Sequence, residues 1–170
     1  IIVIFICIIF VMSIDNKKYL LKVSIVVLLC SNYFLWQSIF VTKDTRFTFL
    51  DVGQGDACVI ESGGKVILID AGYFGFGKDY GERVILPYLK YRGIKNIDLV
   101  VMTHPHADHI GGLVSIIEQI HINVIWDTFN SYPSTLYHSI LDSSRTKSIR
   151  IQYPQCGEIY KIGELDITML

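Results

Sequence analysis

Ile97-Asp-Leu-Val-Val-Met102 runs without a break into Thr103-His-Pro-His-Ala-Asp-His-Ile-Gly-Gly112, and the rest of the chain is read outward from this junction. The first part is a short, nearly continuous apolar run, the pattern of a strand covered on both faces. The second packs four metal-ligand side chains into six residues: His104, His106, Asp108 and His109. Residues two apart in an extended segment point to the same side, so His104 and His106 can grip one ion together. A helix beginning near Ala107 projects Asp108 and His109 from its first turn back over the same spot. Pro105 stiffens the peptide between the two histidines, and Gly111 and Gly112 let the helix start pack close to the strand end. Imidazole and carboxylate donors without a thiolate suit zinc, and also manganese or iron. Three of the five histidines in the chain lie in this hexapeptide; His121 and His138 are isolated and read as surface residues.

Around this junction the pattern alternates. Residues 47–52 and 57–61 read as strands, and 65–70 pairs with 57–61 across Ser62-Gly63-Gly64, a strong hairpin signal. Residues 73–81 form a loop rich in glycine and aromatic side chains. Residues 82–92 have helical spacing, with Pro87 expected to kink the helix and Gly93 to end it. Downstream come a helix over 113–120, a strand over 123–126, a helix over 134–142 and a strand over 149–153. A last hairpin (158–161 and 165–170) turns at Ile162-Gly163-Glu164. Strands first, then strands alternating with helices, indicate an α/β layered fold with a mixed sheet.

Residues 1–41 are of another kind. The chain is 51% hydrophobic with a formal net charge of −1, and that apolar content is concentrated at this end. Residues 1–14 are apolar apart from Ser13; Asp15-Asn16-Lys17-Lys18 breaks the run; residues 19–41 carry Lys22 as their single charge. A helix over 19–41 spans about 34 Å against a hydrocarbon core of about 30 Å. Two transmembrane helices, about 1–14 and 19–41, are the direct reading; a cleaved secretory signal has a shorter apolar core and a small-residue cleavage site. Lys17, Lys18 and Lys22 outweigh Lys43 and Arg46 beside Asp44, which puts the turn in the cytoplasm and residues 47–170 on the extracytoplasmic side. The beginning without Met and the end inside a strand suggest a slice of a longer chain, unstable alone if half a sandwich leaves its apolar faces bare. Within 47–170, 10 Lys+Arg stand against 14 Asp+Glu, a net of −4, so bulk charge shows no basic nucleic-acid surface. Cys7, Cys30, Cys58 and Cys156 have no CxxC spacing, which argues against a disulfide framework and against a cysteine zinc site.

His104-Pro-His106-Ala-Asp108-His109 after an apolar strand resembles the HxHxDH signature of the metallo-β-lactamase fold superfamily. Leu68-Ile-Asp70-Ala-Gly72 resembles its first motif. Three stretches taken together are similar to ComEC-type DNA-internalisation competence proteins: Leu50-Asp-Val-Gly-Gln-Gly-Asp56-Ala, Gly81-Glu-Arg-Val-Ile-Leu-Pro87-Tyr-Leu and the run opened by Thr103. Those are polytopic membrane proteins that carry this domain after their transmembrane helices. The resemblance covers about 47–170 and implies the first half of an αββα sandwich preceded by transmembrane helices.

It further implies two divalent ions, zinc before manganese. His104 and His106 would hold the first, Asp108 and His109 the second, with Asp108 the catalytic candidate. Asp70 would orient ligand histidines, and Thr103, which opens the histidine-rich motif, is a further motif residue. Asp51 and Asp56 match the DVGQGD motif, with turn capping an equal alternative. Later motifs, including an Asp expected to bridge the metals, would lie beyond Leu170. The implied activity is hydrolysis of DNA phosphodiesters during DNA uptake, with single-stranded DNA, the lipid bilayer and other uptake components as partners. Hydrolysis of small esters, thioesters or lactams is one alternative, since the fold hosts all of them; a DNA-guiding module without turnover is another. The aromatic loop 73–77 either stacks bases of a single strand or packs its rings on the domain, the second being favoured.

Overall fold

The computed structural model describes residues 17–40, 44–129 and 131–170, and the chain divides into two units, Ile1–Thr42 and Lys43–Leu170. In the first, α1 (Lys17–Phe40) is an unbroken helix of 24 residues. It begins two residues before the expected span because Lys17 and Lys18 are good helix formers and extend it rather than break it. Among the described residues it is one helix long and apolar enough to cross a membrane, over Lys17–Trp36, and none of that stretch is buried by the protein. The expected first span, 1–14, lies outside the described residues.

The second unit is built on a six-stranded sheet. Its order is β1 (Arg46–Phe49), β2 (Cys58–Ser62), β3 (Lys65–Ile69), β6 (Asn96–Met102), β7 (His121–Asp127) and β8 (Arg150–Gln152). Strands β1–β3 are antiparallel, and β3, β6, β7 and β8 run parallel, so the sheet is mixed as expected. The turn at Gly63 and Gly64 has φ of 54° and 77° at its two central residues, a combination glycine adopts without steric penalty. It sets the register Ser62↔Lys65 through Cys58↔Ile69.

Residues 73–81, expected as a loop, form a small hairpin of β4 (Phe74–Gly75) and β5 (Lys78–Asp79), with Tyr80 N donating to Tyr73 O at its base. A wide π-type turn (Gly81–Ile85) then leads into α2 (Leu86–Tyr91). Pro87 thus falls in the first turn of an α-helix, where its missing N–H and its ring are tolerated, and the wide turn takes the place of the expected kink. Gly93 (φ 70°) ends α2: its N–H bonds Lys90 O, and that of Ile94 bonds Leu89 O, the double closure of a Schellman motif.

After β6 come α3 (Ala107–Ile110) and α4 (Leu113–Gln119), and after β7 comes α5 (Thr135–Thr146), capped by Ser134 Oγ accepting from Tyr137 N. The chain closes with the hairpin β9 (Ile159–Ile162) and β10 (Leu165–Thr168).

Each sheet face is covered by different material. Val59, Leu68, Ile97, Val100 and Ile125 pack against the helical residues Ile85, Leu89, Ile110, Leu113, Ile116 and Ile140. On the other face Ile60, Ile67, Leu99 and Trp126 meet Tyr160, Ile162, Leu165 and Ile167 of the last hairpin. Leu99 and Val100 of β6 therefore serve opposite cores, as its apolar run requires. The helical layer, the mixed sheet and the second small sheet are the first three layers of an αββα arrangement.

Candidate functional site

Parallel pairing of β3 with β6 and of β6 with β7 puts the carboxyl ends of three strands at one edge, the edge where open α/β sheets place their sites. Asp70 leaves β3, Thr103 leaves β6 and Thr128 leaves β7 there. Asp70 is 3% exposed and sits at φ 56°, a left-handed conformation that Asp tolerates better than most residues. Its Oδ1 accepts from Thr103 N at 2.9 Å, its Oδ2 accepts from the Thr103 hydroxyl, and the same oxygen lies 2.8 Å from His109 Nδ1. One buried carboxylate thus meets both the strand end and the His109 ring.

His106 is extended (φ −86°, ψ 157°) and its carbonyl receives the first N–H groups of α3, those of His109 and Ile110, each at 3.0 Å. The helix starts at Ala107 as the spacing predicts. The imidazoles gather: ring centroids of His104 and His106 are 4.2 Å apart, and those of His104 and His109 are 5.3 Å apart, both edge to face. Among the described residues, no three His, Cys, Asp or Glu side chains close to metal-binding geometry. The donor chemistry nevertheless suits a divalent cation. With Nδ1 of His109 engaged by Asp70, its Nε2 is the nitrogen with a lone pair to offer, and it lies 3.9 Å from Asp108 Oδ2. Burial opposes a proton on His109, but the Asp70 hydrogen bond and the charges of Asp70, Asp108 and Asp56 outweigh it and raise its pKa. A ring encircled by three carboxylates is a place that favours positive charge.

The 51–56 turn packs onto the start of α3. Asp56 N donates to Asp108 O and Gly72 N donates to Asp56 O. A Cβ on Gly55, at φ 146°, would run into the Asp108 carbonyl, so glycine is required for this approach. Asp56 has its carboxylate 78% exposed with Oδ2 3.8 Å from His109 Nδ1, whereas Asp51 Oδ1 accepts from Gly53 N, a turn cap. The two carboxylates of the motif therefore differ in what they touch. Gly112 lies against backbone on both sides, Ala71 O and Gly81 N, which accounts for the second glycine after the histidine cluster. His121 and His138 are exposed surface residues, as expected.

Two neighbours went unread in the sequence. Thr128 Oγ1 donates to Met102 O at 2.9 Å, holding the β7 end to the β6 end, and the Tyr132 ring stands 5.8 Å from that of His106. Both follow β7, and the signal available for them was the parallel alternation of strands and helices, which sends successive strand ends to one edge.

The family model described as Metallo-beta-lactamase superfamily matches residues 50–168. The chain belongs to that superfamily. Among curated proteins it is 24% identical over 145 residues to ComE operon protein 3 of Bacillus subtilis, covering 76% of this chain and 18% of that protein. It is 37% identical over 94 residues to Recombination protein 2 of Haemophilus influenzae, covering 55% of this chain and 12% of that one. The chain thus spans less than a fifth of these relatives' length, and the resemblance to ComEC-type proteins holds for this part. Among solved structures, a subclass B3 metallo-β-lactamase from a soil metagenome library aligns with a TM-score of 0.48 and 18% identity, covering 75% of this chain and 49% of that one.

Proposed function

We propose that this chain carries the metal-dependent hydrolase of a DNA-uptake apparatus, anchored in the cell membrane by α1 and acting on DNA phosphodiesters outside the cytoplasm. The observation that carries the reading is the three-imidazole cluster tied through His109 to buried Asp70, on a fold whose superfamily is that of metallo-hydrolases. The similarity to ComE operon protein 3 and to Recombination protein 2 supports nucleic acid as the substrate.

His104 and His106 would hold one divalent ion, Asp108 and His109 a second, with zinc favoured over manganese. When bound, such ions supply Lewis-acid stabilisation of phosphate and hydroxide at neutral pH. The chain's own residues do the positioning. Asp70 sets the His109 tautomer, Thr103 locks Asp70, and Asp56 adds an exposed carboxylate beside His109. Asp108, at the first turn of α3, is the catalytic candidate. Substrate DNA, the bilayer and further uptake components are the partners this reading needs, and the lysine-rich start of α1 sets its cytoplasmic end.

The test is metal content and turnover together, on the full chain in detergent. His104→Ala with His106→Ala should lose divalent-metal binding while the chain stays folded. The wild type, loaded with zinc or manganese, should cut single-stranded DNA in preference to a thioester. Ester turnover without DNA cleavage would sink the nuclease reading, and unchanged metal content in the double variant would sink the ligand assignment.

A further inference from the structure

The β4–β5 hairpin turns through Phe76 and Gly77, both at positive φ (48° and 71°), as the tightest two-residue hairpin turns require. Glycine is at home there. Phenylalanine is not: a Cβ at positive φ crowds the backbone, and a bulky residue in that region is a true outlier. Its ring gains nothing in return from the protein, since Phe76 is 98% exposed. Strain and solvation both argue against this residue on grounds of stability, and the sequence reading that favoured its packing on the domain does not hold for this ring. Residues held in such conformations cluster at functional sites.

Its surroundings indicate a ligand class. Lys78 follows the turn in the chain, and Arg83, exposed like Lys78, donates from its guanidinium to Gly77 O at 3.1 Å, so one cation is anchored on the turn and a second is next to it in sequence. Phe74, on the other strand of the hairpin, lines a cleft of about 420 Å³ with Val114, Ser115, Thr135 and Leu136. The hairpin is also joined to the histidine cluster. Gly111, two residues after His109, lies so close to Phe74 N that a Cβ there would collide with it, and Gly72 bridges to Ile110. Exposed aromatic faces combined with nearby cations are how proteins hold single-stranded nucleic acid without reading its sequence. Phe74 is half-exposed on the same hairpin and Phe76 fully so; a lipid surface is met by a longer apolar stripe than these two rings.

We infer that the Phe76 tip is a base-stacking platform that grips a single strand beside the histidine cluster, with Lys78 and Arg83 facing its phosphates. The inference rests on nucleic acid as the substrate and deepens that reading.

The test is binding rather than cleavage. The full chain in detergent is titrated with a fluorescent oligothymidylate and, separately, with a duplex of equal length, divalent ions being chelated. Phe76→Gly should weaken the single strand by about tenfold to a hundredfold, leave the duplex unchanged, and leave Tm equal or raised because glycine relieves the turn. Phe76→Trp should restore single-strand binding. The extra emission that Trp brings over the wild type should be quenched by the oligonucleotide, and should not shift to the blue in nanodiscs of anionic phospholipid without DNA. Several results overturn the inference: no single-strand binding by the wild type, equal affinity in Phe76→Gly, equal losses on single strand and duplex, a lowered Tm in Phe76→Gly, or a blue shift on lipid alone. Cleavage measured afterwards with metal restored separates the two readings. A strand bound through Phe76 but never cut removes the nuclease and leaves the platform; a strand cut at unchanged affinity in Phe76→Gly removes the platform alone.

Discussion

Replacing Asp70 by alanine removes one carboxylate and strands three donors. Thr103 N–H loses its 2.9 Å acceptor, the Thr103 hydroxyl loses a second, and His109 Nδ1 loses a third at 2.8 Å. Hydrogen bonds to a charged partner contribute roughly 1.5–3 kcal/mol each, and a buried N–H left without a partner costs about 1–3 kcal/mol. The Thr103 hydroxyl can turn elsewhere and the His109 ring is 21% exposed to water, so the strand N–H and part of the histidine bond dominate, about 3 kcal/mol together. Alanine at φ 56° adds about 1 kcal/mol more. The expected loss is about 4 kcal/mol, a large part of a typical 5–15 kcal/mol stability.

Asn at the same position separates structure from ligation. Its Oδ1 keeps the Thr103 N–H, but its amide now donates toward His109 Nδ1. The ring must answer with a lone pair there and carry its proton on Nε2, the nitrogen offered to a metal. Stability should fall by only about 1–2 kcal/mol, while zinc affinity drops about 10–100-fold. Chemical denaturation followed through buried Trp126 reads the first, zinc calorimetry the second, and nitrogen chemical shifts of His109 the tautomer. An Asp70→Ala variant within 1 kcal/mol of the wild type, or an Asp70→Asn variant that binds zinc as tightly, would refute the reasoning.

Three further outcomes are expected. Gly112→Ala should destabilise the domain by about 2–3 kcal/mol, since its methyl meets backbone at Ala71 and Gly81 on both sides; a thermal shift under one degree contradicts that packing. Tyr137→Phe should cost about 1–3 kcal/mol in denaturant unfolding, because the phenol donates to Asp127 Oδ2 at 2.6 Å where both residues are buried; no change in the midpoint tells against this bond. Burial pushes the Cys58 thiol pKa up, against a smaller opposing hydrogen bond from the Thr48 backbone. Peptide mapping after alkylation near neutral pH should find exposed Cys156 modified and Cys58 intact, with Cys58 reacting only above the usual thiol range; equal labelling would mean that β2 is open.

Much of the architecture was legible because it is written in neighbours. The Gly63-Gly64 turn needs two positive φ values and glycine supplies them. The Ile97–Met102 run is apolar on both faces because both faces are buried. His104 and His106 sit two apart in an extended segment, so their rings meet wherever the strand is placed. The start of α3, and the two glycines that let it lie against the 71–81 backbone, follow from the same short stretch. The 73–81 hairpin was missed because strands of two residues carry no periodicity, and the π-type turn before Pro87 because a single wide turn leaves the helical spacing almost unchanged.

What the sequence determined by itself is the His104–His109 cluster, its order along the chain and the α/β class, since these depend on residue type and short-range geometry. Tertiary structure alone decided that Asp70 meets His109 across 39 positions, that Thr128 ties one strand end to the next, that the last hairpin covers the second sheet face and that Phe76 is left in solvent. Those outcomes depend on which strands become neighbours. That choice is made by closing long loops around two apolar cores, and periodicity, which reports only the direction each side chain faces, carries no record of it.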